Sequence, residues 1–344
     1  MADCMLGGVD AIDGGHYGCD RAGDTGTADS SKNRKISIGI QVSPAMTLVM
    51  VAKDAGFFEK ERLDVELKEF TAGKFALQAF LAGGIDYAVS GEVPVALATL
   101  QGNPIRVVSQ VVEKTTNEVR IVAWKDEGSD DARSYFKTRK RKLATSFGGG
   151  PEFFTYTFLK RYGISDSEVQ LISQKPEDMP AALAAGSVDA IAIFDPFAFI
   201  AERHLKDKVT TFADETLYSE LYVFNAKPEQ IEREPDVLAA ILRALVTAGD
   251  FIESNPERAK QILEQYTKLD REIIDGIWGN FVFRPALTRR LIDNWTAQAE
   301  WAVATDKVKA GTQAPDFPNV VDGRFLDAVR SDLIDYDKGT AARQ

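Results

Sequence analysis

The sequence predicts a water-soluble α/β protein of two similar units followed by a helical final third. Three observations carry that expectation. Strand-like alternation and helical periodicity take turns twice, over about residues 36–112 and again over about 143–194. After about residue 225 only helical patterns follow. The composition is that of an ordinary folded chain: 344 residues, 44% hydrophobic, 27% charged and 10% aromatic, enough for about two domains.

The first unit opens on Ile36-Ser37-Ile38-Gly39-Ile40, which alternates in the two-residue period of a strand. Ser43 is then a good N-cap and Pro44 suits a first helical position. Met46, Val49, Met50 and Ala52 share a helical stripe, and Gly56 stands where a C-terminal cap belongs. Leu63-Asp64-Val65-Glu66-Leu67 restores alternation; 75–82 and 93–100 read as helices, 85–89 and 105–112 as strands. Strands separated by helices imply a parallel sheet, since parallel neighbours need a crossover connection. A second unit begins near Lys125, with strands at 143–147, 169–172 and 188–194 and helices at about 152–162 and 180–185. One more strand, 221–225, precedes helices at 235–253, 256–266, 271–281, 285–305 and 325–334. No strict repeat relates the units, so their likeness is architectural.

Charge and rare residues narrow the chemistry. With 41 Lys and Arg against 52 Asp and Glu the net charge is −11, the wrong sign for gripping a phosphate backbone, so nucleic acid is not an expected partner. The most apolar stretch, 188–200, is short and carries Asp189 and Asp195, so no membrane span is expected. The only cysteines are Cys4 and Cys19 and the only histidines His16 and His204. From Asp20 onward there is thus no thiol and one imidazole, which argues against a metal centre, a redox pair or a histidine-based triad; no cofactor is expected. His204, in a polar helix-end pattern, reads as a surface residue. The basic run Lys137-Thr138-Arg139-Lys140-Arg141-Lys142 reads as a solvated loop before a strand starting at Leu143, and the four tryptophans as packing residues. Residues 1–34, rich in Gly, Asp, Ser and Thr without apolar periodicity, read as a disordered tail. Gly18-Cys19-Asp20 within it resembles the lipidated junction of a bacterial lipoprotein, although the preceding residues lack the apolar run of a signal peptide.

Several segments in matching order resemble the nitrate, sulfonate, taurine and thiamine-precursor family of ABC-transporter substrate-binding proteins. They are residues 52–67, containing Ala55-Gly56-Phe57-Phe58-Glu59; Gly83-Gly84-Ile85-Asp86-Tyr87-Ala88; Gly91-Glu92-Val93-Pro94; Val188-Asp189-Ala190-Ile191-Ala192-Ile193-Phe194-Asp195-Pro196-Phe197; and Val321-Asp322-Gly323-Arg324-Phe325-Leu326. The resemblance implies a two-lobed periplasmic-binding-protein fold with a ligand cleft between two α/β lobes. Lobe 1 would be 35–122 plus 218–344 and lobe 2 would be 123–217, with hinges near Val122 and Leu217. It further implies a monomer that takes a small-molecule ligand, works with an ABC-transporter permease, and resides in the periplasm or on the cell surface as a lipoprotein. Relatives with enzymatic chemistry, a fungal pyrimidine synthase and a bacterial desulfinase, rely on Cys and His sets that this chain lacks.

In such sheets ligands sit beyond the carboxyl ends of strands, where helix N-termini present free N–H groups. The candidate ligand residues are therefore Ser43 after the first strand, Gly73 and Lys74 after the second, and Gly91 and Glu92 after the third. On the second unit they are Phe147, Gly149, Gly150 and Glu152, with Asp195 after a later strand and Tyr222 on the strand that returns to lobe 1. Glycines let backbone amides approach a head group, and Lys74 could counter an anion. The expected solute is sulfonate-, taurine- or nitrate-like. The acids Glu92, Glu152 and Asp195 instead favour an N–H donor such as an aminopyrimidine thiamine precursor, or a carboxylate-dependent enzyme on the same fold.

Overall fold

The computed structural model describes residues 33–335 apart from 115, 117 and 130. The possible lipidation site Cys19 and nearly all of the expected tail lie outside the described residues; Arg34, assigned to the tail from sequence, already belongs to the first strand.

Lobe 1 begins with β1 (Arg34–Gln41), α1 (Thr47–Asp54), α2 (Phe57–Lys60), β2 (Leu63–Phe70), α3 (Gly73–Leu81), β3 (Tyr87–Gly91), α4 (Glu92–Leu100) and β4 (Arg106–Lys114). Beyond Lys114 the chain enters lobe 2: β5 (Arg120–Trp124), α5 (Ala132–Lys137), β6 (Arg141–Thr145), α6 (Gly150–Arg161), β7 (Val169–Ser173), α7 (Met179–Ala184), β8 (Ala190–Ile193), α8 (Phe197–Leu205) and β9 (Val209–Phe212). It crosses back at 213–221 to β10 (Tyr222–Ala226), α9 (Pro228–Arg233), α10 (Pro235–Ser254), α11 (Pro256–Thr267) and α12 (Arg271–Ile277). The end of the chain supplies β11 (Phe281–Val282), β12 (Leu287–Thr288), α13 (Arg289–Ala304), α14 (Arg324–Val329) and β13 (Ile334–Asp335).

The strands form two principal sheets, ordered β11-β4-β10-β3-β1-β2 and β7-β6-β8-β5-β9. In the first, β1 runs parallel to β2 and β3, while β10 lies antiparallel between β3 and β4. The second repeats the scheme, with β6 parallel to β7 and β8 and β5 antiparallel between β8 and β9. Helices cover the sheets, so central strands such as β3 and β8 are buried throughout and read as continuous apolar runs.

The structure moves some sequence expectations. Val122 lies inside β5, paired with Ile191 and Thr211 in the second sheet, so the first passage between sheets precedes the boundary read from sequence. Helices do not fill the last third: β11 adds to the first sheet, and β12 pairs with β13. The basic run is not wholly solvated. Arg141 opens β6 and is 2% exposed, its guanidinium over the Tyr135 ring and paired with Asp126. His204 is exposed, Trp295 and Trp301 are buried, and the Trp124 indole donates to the Leu183 carbonyl.

Candidate functional site

The first turns of α3, α4 and α6 converge where the lobes meet. Gln41, at the end of β1, orders the lobe 1 side: its Oε1 accepts from the Gly73 N–H at 2.9 Å and its Nε2 lies 3.5 Å from the Tyr222 hydroxyl. Gly73 stands at a close approach, since a Cβ there would lie 3.0 Å from the Ser90 backbone, tighter than ordinary packing. Ser43 is 3% exposed and its Oγ has no hydrogen-bond partner. Lys74, the next residue of α3, reaches across to donate to the Phe147 carbonyl at 2.8 Å. Burial lowers the Lys74 pKa, with the Glu152 charge opposing.

On the lobe 2 side the chain turns through Phe147, Gly148 and Gly149 into α6. Gly148 has φ +77°, a left-handed conformation that favours glycine. Its N–H donates to Glu152 Oε2 at 2.7 Å, and Lys307 reaches Glu152 Oε1 at 2.5 Å with its ammonium over the Phe147 ring. Glu152 therefore closes its own turn and ties α6 to the segment after α13. Asp195, after β8, receives Arg120 at 3.0 Å, the Phe199 N–H and the Asn280 amide. Burial raises the Asp195 pKa while Arg120 opposes it, and this carboxylate joins β5 to the C-terminal part of the chain.

Glu92 is wholly buried as the first residue of α4. Its Oε1 accepts from Tyr218 at 2.7 Å, Gln298 at 2.9 Å and Asn294 at 3.3 Å, and its Oε2 from the Leu221 N–H at 2.9 Å. The Trp295 indole donates to its carbonyl at 3.0 Å. Burial, and then the Glu220 charge, push the Glu92 carboxyl up to about 7.

A group that sequence reading missed lies between these turns. Glu220, on the return crossing, is 4% exposed, and its carboxylate lies against Gly150 at the start of α6. A Cβ on Gly150 would meet Glu220 Oε1 at 2.3 Å, and one on Gly91 would meet it at 3.3 Å, so the carboxylate sits between the starts of α4 and α6. Tyr222 donates to its Oε2 at 3.3 Å, and the Lys114 ammonium lies 3.9 Å away, paired with Glu118. Burial raises the Glu220 pKa against Lys114, Tyr222 and Gly150, and it pulls Lys114 down to about 8. The second Glu118 oxygen is buried without a partner. Of the residues picked from sequence, Gly91, Gly150 and Tyr222 thus surround one carboxylate. Gly73 joins Tyr222 through Gln41, Lys74 meets Phe147, Gly149 leads into α6, and Glu152 and Asp195 are engaged in ties beside this centre. Lys114, Glu118, Tyr218 and Glu220 flank the crossings in stretches without clear periodicity, and Asn294, Gln298 and Lys307 come from the far end of the chain, so no local pattern marks them.

Two lobes of this topology, joined by two crossings with helix starts facing across the junction, define the periplasmic-binding-protein class of fold. The chain belongs to the NMT1-like family, which it matches over residues 29–266. It is 24% identical over 315 residues, 90% of this chain and 91% of the other, to a Bacillus subtilis (strain 168) protein named for binding aliphatic sulfonates. It is 26% identical over 247 residues, 70% of this chain and 76% of the other, to a Haemophilus influenzae protein named for thiamine biosynthesis. Among solved structures, the alkanesulfonate-binding protein SsuA from Xanthomonas axonopodis pv. citri bound to MOPS shares the fold. The TM-score is 0.70 at 20% identity, covering 86% of this chain and all of that one (100%). No helix among the described residues is long and apolar enough to cross a membrane, and none of their His, Asp and Glu side chains cluster as a metal site.

Proposed function

We propose that this protein is the solute-binding component of an ABC importer. It takes a small organic solute with an anionic head group, sulfonate-, taurine- or nitrate-like, between its lobes and delivers it unchanged to a membrane permease from the periplasm or cell surface. The junction itself supports this reading. Helix starts carry a partial positive charge that favours an anion, and the glycines Gly91 and Gly150 leave a space between α4 and α6 in which a carboxylate, that of Glu220, already sits. Half-buried Lys74 adds an ammonium that donates to a neutral carbonyl and, among the described residues, has no carboxylate within ion-pair distance. The names of the sulfonate-binding relatives point the same way. Carriage rather than catalysis fits a folded region without cysteine, whose one histidine is exposed at the end of α8.

A second reading rests on a specific atom. The unpartnered Glu118 oxygen, buried beside Lys114, could accept from an N–H donor such as an aminopyrimidine, as the thiamine-related relative also suggests. Calorimetry with ethanesulfonate, taurine, nitrate and an aminopyrimidine separates the two. The expected outcome is saturable binding of ethanesulfonate or taurine. Binding of the aminopyrimidine alone overturns the anionic reading, and turnover of any bound solute, followed by mass spectrometry, overturns carriage.

A further inference from the structure

We propose that Glu220 is a built-in competitor for the solute's anion: its carboxylate occupies the place between α4 and α6 where the anionic group binds, latches the lobes together without solute, and is displaced when an outside anion enters. The inference rests on reading the lobe junction as the solute site, and deepens it by assigning the residue that sets its affinity and selectivity.

The geometry leaves room for one anion. Glu220 Oε1 lies so near Gly150 that a single added carbon would overlap it, and no second anion can take that place at the start of α6 while it is there. The carboxylate is held much as a bound anion would be, against Gly150 at the α6 start in lobe 2, by the Tyr222 hydroxyl from lobe 1 and by the nearby Lys114 ammonium. Its contact with Gly150 therefore spans the junction, and separation of the lobes breaks it. Beside it, Lys74 links the start of α3 to the turn before α6 without a carboxylate of its own. The crossing 213–221 that carries Glu220 has neither helix nor strand, so the side chain can withdraw without breaking an element.

A tethered carboxylate behaves as an anion at an effective concentration of roughly millimolar or more, so a free anion must outcompete it and its apparent affinity falls accordingly. Weak anions are refused, and only a solute that adds further contacts prevails. Removing the carboxylate reverses both effects. It frees the helix starts for any small anion and loosens the lobes when none is present.

The test compares the protein with Glu220→Ala and Glu220→Gln, using methanesulfonate and acetate as probes and methylammonium as the cationic control. Calorimetry should show both anions binding Glu220→Ala about tenfold or more tighter than the unaltered protein, with no gain for methylammonium. Small-angle scattering should show ligand-free Glu220→Ala expanded and acetate restoring its compactness. Glu220→Gln keeps the volume without the charge and should fall between the two; it carries the test if the alanine variant does not fold by circular dichroism. Equal anion affinities, with ligand-free scattering unchanged, overturn the proposal and make Glu220 a packing residue, leaving the sulfonate reading intact if the unaltered protein binds ethanesulfonate. If the unaltered protein binds no sulfonate while the variants gain acetate binding, the competitor stands and the sulfonate reading falls.

Discussion

Glu92 joins four donors from two distant parts of the chain around one carboxylate, and its burial makes that carboxylate costly to ionise. Its pKa rises from an ordinary 4.5 to about 7 on folding, so between those values the folded state holds more protons than the unfolded one. Stability from this group is therefore present at low pH and is lost as pH rises through that window. Lys114 acts elsewhere: lowered from 10.5 to about 8, it makes the folded state bind fewer protons between those values, so stability rises with pH there. The stability of Glu92→Gln should accordingly gain on that of the unaltered protein as pH rises from about 5 to 7.5, by on the order of 2 kcal/mol. Urea titrations across that range give the difference, and one that does not vary with pH would sink the claim. At this scale the sequence was partly legible. Gly73, Gly91 and Gly150 follow from the rule that helices begin just beyond strand ends, and all three stand at close approaches. Glu220 was not, because its meaning lies in one distant neighbour, Gly150, and not in residues beside it.

Among the elements, α6 has the most demanding start. Gly150 follows Gly149 into the helix, and its missing Cβ makes the space that Glu220 and the Tyr218 hydroxyl occupy, the latter 2.7 Å from the position a Cβ would take. Gly150→Ala suits helix propensity, which alone would stabilise by up to about 1 kcal/mol. Overpacking costs about 1–3 kcal/mol and should win, giving a net loss of stability. In a Glu220→Ala background the larger of the two clashes is gone, so the same substitution should cost less, a coupling of about 0.5–3 kcal/mol. Thermal melts of the four proteins of this cycle supply the value, and simple additivity would mean that the carboxylate does not rest against α6 in solution. Elements followed the legibility of their patterns. Strands β1, β2 and β6 and helices α1, α10 and α11 match their sequence signals within a few residues because each carries its own period or cap. The strands β5 and β9 did not emerge: Arg120-Ile121-Val122-Ala123-Trp124 and Val209-Thr210-Thr211-Phe212 are short, and β5 pairs antiparallel with partners far along the chain, so no hairpin turn marks it.

For the whole molecule, the C-terminal helices matter more than their place in lobe 1 implies. Helix α13 packs on α4, while Trp301 near its end meets Phe153 of α6 edge to face at 5.5 Å, and Phe153 in turn meets Tyr218 of the return crossing at 5.1 Å. Lys307 binds Glu152 just beyond. Lobe 2 is thus tied to lobe 1 through α6 by the crossing on one side and by the C-terminal segment on the other, and an aromatic ring 4% exposed lies at the centre of the contact. Because these contacts join the lobes, they should favour the closed arrangement as well as the folded state. Phe153→Ala is expected to destabilise by several kcal/mol, about 3–5 if the ring's contacts are wholly lost. Beyond that loss, it should enlarge the ligand-free radius of gyration and weaken solute binding, since part of the binding energy must then close the lobes. Phe153→Leu, which keeps apolar volume, should preserve folding and show the same expansion to a smaller degree. Scattering on both variants decides the point: a lowered melting temperature with an unchanged radius would assign the ring to the stability of α6 alone, and would leave closure to the polar ties of Lys74, Glu152 and Glu220.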